Sequence, residues 1–161
     1  MQGGRKVIEP LSIIAEFSIG LAGFAGIIAA VRRDSDPVLQ FRFAILLVTA
    51  FTPGFFSLLT ISLDYLAVAQ STNVRISSGL LFIYLGLFIL SAYLKLPRGL
   101  PVAMVVFMFV AVMVNMILQG INVAQLSPNA FGLYLSGLVI FLLQGAAVFS
   151  ILAITALRAS D

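Results

Sequence analysis

The stretch Pro101–Gln119, PVAMVVFMFVAVMVNMILQ, decides the fold. It carries no charge, and its first polar side chain is Asn115. At ~1.5 Å of rise per residue, a helix of this length spans about 28 Å, close to the ~30 Å hydrocarbon core of a bilayer. The apolar residues are continuous and do not alternate, which excludes a barrel strand. An open sheet would also leave unpaired edges in lipid. Pro101 suits the first helical turn, where its missing N–H is not needed.

Four further runs have the same character: residues 10–31, 37–63, 78–94 and 128–157. The third is the shortest and the fifth the longest, so the fifth should tilt or protrude. Arg32 and Arg33 end the first run, and Arg158 ends the last. Pro10, Pro37 and Pro128 sit at run starts as Pro101 does, and Asp36 and Ser127 precede two of them as N-caps. Ser77 or Ser78 would cap the third run. Pro97 falls in a tight turn, leaving Pro53 as the one proline inside a run. The first run is too long for the ~7–15 apolar residues of a signal peptide and contains Glu16, so it reads as a retained helix. The predicted fold is all-α: a polytopic transmembrane bundle of five helices, forming one transmembrane domain over residues 1–161.

Composition agrees. Of 161 residues, 61% are hydrophobic and 9% charged, against about 25% charged in a soluble domain. Mean hydropathy is +1.16. Lipid must solvate most of such a surface. The net charge of +3 sits at run ends, the pattern of membrane orientation and not of nucleic-acid binding. The chain has no Cys and no His, which removes disulfides, thiol nucleophiles, ordinary catalytic triads and most haem or zinc sites. Lys6 and Lys95 lie at run ends, away from any intramembrane Schiff base. No phosphate-binding loop, dinucleotide fingerprint or metal-ligand spacing appears. The expectation is a protein that is no enzyme and holds no cofactor or metal.

Five crossings place Arg5, Lys6 and Arg75 on one side of the membrane, and Arg32, Arg33, Arg42, Lys95, Arg98 and Arg158 on the other. The positive-inside rule puts the larger set in the cytoplasm, with the N-terminus outside and the C-terminus inside.

Within that topology, Glu16, Asp64, Arg75, Asn115 and Gln119 all fall toward the outer face and form a candidate polar cluster. Glu16 is the one acidic residue inside an apolar run. Two readings of it stand: an ion or proton site, or a structural carboxylate near the interface. On either, Arg75 is the expected partner. Asp64 competes for the arginine, and Asn115 is the neutral alternative. Tyr134 opens the last run at the same level.

Ser18, Ala22, Gly26 and Ala30 recur every four residues and predict a close helix-packing face, within the chain or between copies, with Gly20 and Gly23 as a second small strip. Thr49, Pro53, Ser57, Thr60 and Asp64 share a face of the second run. Pro53 and Gly54 predict a kink there, with the hydroxyls either lining a wet cavity or bonded to backbone carbonyls. Gln144 reads as an interhelical hydrogen bond.

The stretches Ala15–Arg33 (AEFSIGLAGFAGIIAAVRR), Phe41–Phe51 (FRFAILLVTAF) and Ile121–Leu152 (INVAQLSPNAFGLYLSGLVIFLLQGAAVFSIL) resemble a group of small bacterial five-helix integral membrane proteins of uncharacterised function. The shared features are an Ala-Gly-Phe-x-Gly first helix, an Arg at the start of the second and an Asn…Tyr pattern leading into the last. The resemblance implies a bacterial inner-membrane address, and it assigns no activity or site.

Two functions fit these features. One is a small channel or transporter subunit working as a homo-oligomer, using Glu16, the hydroxyl stripe and the small-residue face. The other is a non-catalytic scaffold or accessory subunit of a larger complex, which needs the packing features alone. The partners expected are the lipid bilayer and either further copies of the chain or another membrane protein.

Overall fold

Each apolar run becomes a helix because lipid offers the backbone no hydrogen bonds, so every run must satisfy its own N–H and C=O groups. The computed structural model describes residues 5–31, 37–97 and 100–158. The helices are α1 (Arg5–Val31), α2 (Pro37–Tyr65), α3 (Gln70–Leu94), α4 (Val102–Val123) and α5 (Ala130–Arg158). All five are long and apolar enough to cross a membrane, and the protein is a multi-pass, all-α bundle.

Helix α5 packs against all four others. Around it, α1 lies on α2, α2 on α3, and α3 on α4, while the backbones of α1 and α3, α1 and α4, and α2 and α4 stay apart among the described residues. Two apolar clusters stack along the bundle. One gathers Leu11, Phe56, Leu81, Leu85, Tyr134 and Phe141. The other gathers Ala25, Leu46, Met104, Met108, Val148 and Leu152. Large apolar side chains such as Phe17, Phe51, Leu87, Val110 and Leu143 point outward from every helix, the surface that acyl chains cover.

Several boundaries differ from the expectation, each for a local reason. Helix α3 begins at Gln70, eight residues before 78, so α4 and not α3 is the shortest helix. Its polar first turns are helical because they are two-faced. Asn73, Val74, Ser77 and Ser78 point inward, in step with Leu81 and Leu85, while Arg75 and Ile76 point outward. Ser77 and Ser78 are therefore fully buried core residues and not caps.

Helix α5 starts at Ala130, and its cap is Asn129, whose Oδ1 accepts the Gly132 N–H at 3.1 Å. Ser127 accepts the Asn129 N–H at 3.2 Å instead. Pro10 lies inside α1, which starts at Arg5. Asp36, Arg32, Arg33 and Arg98 lie outside the described residues.

The ends of α2 and α4 share one device. Ala67 and Gln125 adopt φ of 59° and 60°, the left-handed conformation that closes a helix at its C′ position. The Val68 N–H reaches Leu63 O at 3.2 Å and the Ala67 N–H reaches Asp64 O at 3.0 Å. Leu126 to Ile121 O (3.1 Å) and Gln125 to Asn122 O (3.2 Å) repeat the pattern.

The packing face of α1 is Leu11, Ile14, Ala15, Ser18, Ala22 and Ala25. Ser18 and Ala22 belong to it; within the chain Gly26 is exposed, and a Cβ added there meets nothing within 4 Å. A four-residue row drifts ~40° per step on a helix of ~3.6 residues per turn, so the buried row turns from Ala22 to Ala25. The Ala30 side chain lies outside the described residues. Gly20 and Gly23 also face open space. The close approach of α1 and α2 occurs at Gly54, where an added Cβ would sit 2.8 Å from Ser18 Cβ. Gly54 thus serves close packing, and α2 stays helical through Pro53.

Candidate functional site

The polar groups of α2–α5 meet in two adjoining networks at the end of the bundle where α2 and α4 finish. The first centres on Thr60, which is fully buried. Its Oγ1 lies 2.9 Å from Phe56 O, 2.9 Å from Ser77 Oγ and 2.8 Å from Tyr134 OH. Tyr134 OH donates to Phe56 O at 2.8 Å. Ser77 makes a long contact of 3.5 Å to Asn73 Oδ1, and Asn73 Nδ2 donates to Thr60 O at 2.8 Å. The ring of Thr60, Ser77 and Asn73 thus joins α2 to α3, and Tyr134 ties both to α5.

The second network is built of carboxamides. Asn115 Nδ2 donates to Gly137 O at 2.9 Å, and Gln119 Nε2 donates to Asn115 Oδ1 at 3.0 Å. Asn122 Nδ2 donates to Ser78 Oγ at 3.1 Å and to Ala130 O at 2.8 Å. The amides fit because residue 137 is glycine: a Cβ there would collide with Gln119 Nε2 and Asn115 Oδ1. Adjacent Ser77 and Ser78 link the two networks through α3. The hydroxyls along α2 bond to carbonyls of their own helix: Thr49 to Ile45 O (2.8 Å), Thr52 to Val48 O (2.6 Å) and Thr60 to Phe56 O. Thr52 also reaches Tyr84 OH at 3.0 Å. Ser18 Oγ, Ser57 Oγ, Gln119 Oε1, Asn122 Oδ1 and both polar atoms of Gln144 are buried without a hydrogen-bond partner. Gln144 thus forms no interhelical bond: it lies one turn from both Phe141 and Val148, between the two apolar clusters.

Of the five residues expected to cluster, the structure joins Asn115 and Gln119 by a hydrogen bond. Glu16, Asp64 and Arg75 stand apart from them. Arg75 is exposed on the outer face of α3, and Asp64 is half-buried at the end of α2. The expected approach of Glu16 to Arg75 does not form, because α1 packs on α2 and α5 and its backbone stays apart from α3 among the described residues. Ser77 and Ser78, which bond to Thr60 and Asn122, carried a signal: 74, 77, 78, 81 and 85 keep one helical face.

Glu16 is exposed on the flank of the bundle. It lines a lateral groove of about 590 Å³ between α1 and α5, with Phe17, Gly20 and Phe24 on one wall and Leu142 and Leu143 on the other. It sits two residues from the centre of the apolar stretch Ile8–Ile28. At ~1.5 Å per residue, the nearer end of that stretch is about 12 Å away, beyond the reach of a glutamate side chain.

A second groove, about 410 Å³, opens at the opposite end, where α2 and α4 start and α5 finishes, and Arg42 lines it. Compared with family models, with curated proteins and with solved structures, the chain matches none.

Proposed function

We propose that this chain is a non-catalytic accessory subunit of a membrane complex, docking through the α1–α5 flank against a transmembrane helix of another protein. One observation carries the reading: a carboxylate near mid-span faces out of the bundle, into a groove lined by apolar side chains and glycine. Such a carboxylate is tolerable in lipid when paired, protonated or hydrated. Among the described residues no ion pair or hydrogen bond engages it, so a partner helix bearing Lys, Arg or an amide donor at that depth completes the site. Gly20 lets a neighbouring backbone approach closely. The interior hydroxyls and amides bond mainly to backbone carbonyls and to one another, which favours an assembly role over a conduction path inside one copy. The resemblance to bacterial inner-membrane proteins supports that address, and the distribution of basic residues supports an outer N-terminus and a cytoplasmic C-terminus.

The chain has no cysteine, so a single one introduced by Gly20→Cys reports this face without background. With a thiol-reactive benzophenone attached to that cysteine, photocrosslinking in native membranes, with the product identified by mass spectrometry, should give one heteromeric adduct. Glu16→Gln should weaken it while the chain stays folded. A product of two copies would replace this reading with the oligomeric channel or transporter subunit. No crosslink at Gly20, with Glu16→Gln neutral in every assay, would remove both.

A further inference from the structure

Arg42 lies on α2 five residues past Pro37, half-buried. Its Nε is enclosed and has no hydrogen-bond partner among the described residues. A guanidinium keeps its charge at any accessible pH, so it cannot escape an apolar setting by losing a proton. The groove it lines is otherwise apolar: Pro101, Met104 and Phe107 from the start of α4, and Ala147 and Ile151 from the later part of α5. Among the described residues no carboxylate lines it. Lys95, exposed on the turn between α3 and α4, adds a second cation at the same end of the bundle.

We infer that this groove binds an anionic phospholipid. Its phosphate would take the Arg42 guanidinium through paired N–H···O bonds, and one acyl chain would lie along Met104, Phe107 and Ile151. Charge complementarity selects the occupant. Free phosphate would satisfy the arginine and leave the apolar walls bare. A neutral acyl chain would fill the walls and leave the charge unmet. A phospholipid of net negative charge meets both, and the membrane around this end of the bundle supplies it. The site is separate from the Glu16 flank, and its failure would leave the docking reading intact.

The chain contains no tryptophan, so Phe107→Trp places a single fluorophore in the groove. The variant, in mixed vesicles, is titrated with brominated phosphatidylglycerol or brominated phosphatidylcholine of matched chains. Phosphatidylglycerol should quench at about ten-fold lower mole fraction, the preference one charge-assisted contact confers. Adding Arg42→Gln should bring the two lipids within about two-fold of each other, which corresponds to losing that contact. Adding Ala147→Phe instead fills the groove with Arg42 in place, and should abolish the preference even if the Arg42 variant does not fold. Equal quenching by both lipids in the parent variant overturns the inference, as does a preference that survives Ala147→Phe. Inorganic phosphate should not relieve quenching by phosphatidylglycerol; full relief would mean that the arginine binds phosphate alone.

Discussion

Gly137→Ala should be among the most damaging single-methyl changes in this protein. The added Cβ collides with Gln119 Nε2 and Asn115 Oδ1 and lies 3.2 Å from Asn115 Cγ. Neither amide can swing away freely: Asn115 and Gln119 are both buried, and they are tied to each other and to Gly137 O. Relieving the clash therefore breaks two interhelical or side-chain hydrogen bonds. Each is worth about 0.6 kcal/mol in a membrane bundle, with ~1.7 as the upper end. The amide groups left buried without partners add about 1–3 kcal/mol. Alanine recovers about 1 kcal/mol over glycine in a helix interior. The expected net loss is about 2–4 kcal/mol. Reversible unfolding in mixed detergent micelles measures it, with Gly26→Ala as the control. Nothing lies near that position, so the control should gain up to ~1 kcal/mol from helix propensity. Trimming Asn115 to Ala in the Gly137→Ala background should return part of the loss, since it removes one collision. A Gly137→Ala protein as stable as the control would refute the packing of α4 on α5 described above.

Three further outcomes follow from the same geometry. Gly54→Ala sets a methyl group 2.8 Å from Ser18 Cβ and should cost about 1–3 kcal/mol by separating α1 from α2, with Ser18→Gly restoring most of it in the same unfolding assay. Tyr134→Phe removes one member of the hydroxyl network and should cost about 0.6–1.7 kcal/mol, the modest value reflecting that Thr60 keeps Phe56 O and Ser77; a loss several times larger would mean that Tyr134 organises the whole network. Ala67→Gly and Gln125→Gly relieve the left-handed backbone at two helix ends and should each stabilise by up to ~1 kcal/mol, measured as raised thermal unfolding midpoints.

The five crossings were legible because a run of apolar residues as long as the bilayer is thick has few other uses. The start of α3 was not. Residues 70–78 are polar enough to read as a loop, and their inward side, Asn73, Ser77 and Ser78, is buried because Thr60 and Asn122, on two other helices, supply its hydrogen bonds. Glu16 was legible as unusual, but its neighbours were not, since shared depth in the membrane does not say which helices touch. Arg75 failed as its partner for that reason alone. The small-residue face of α1 was legible at Ser18 and Ala22 within the chain, while Gly26 faces outward, because a strict four-residue step outruns the helical period. Tyr134 and Asn115 were visible as intramembrane polar groups, while the glycine that admits Asn115 and Gln119 passed as one small residue among many.

The position of α5 at the hub has a consequence for how the protein is made. Ribosomes deliver α1–α4 first, and these helices meet mainly as two hairpins, α1 with α2 and α3 with α4. Until α5 emerges, Asn115 lacks the Gly137 carbonyl, Asn122 lacks the Ala130 carbonyl and Phe56 O lacks the Tyr134 hydroxyl. Asn122 keeps Ser78 and Phe56 O keeps Thr60, but Asn115 Nδ2 would sit in hydrocarbon with no partner, where an unmet polar group costs several kcal/mol. A nascent chain at that stage presents an unanswered amide to the membrane. That is a mark by which an insertase or a membrane protease can tell an unfinished copy from a finished one.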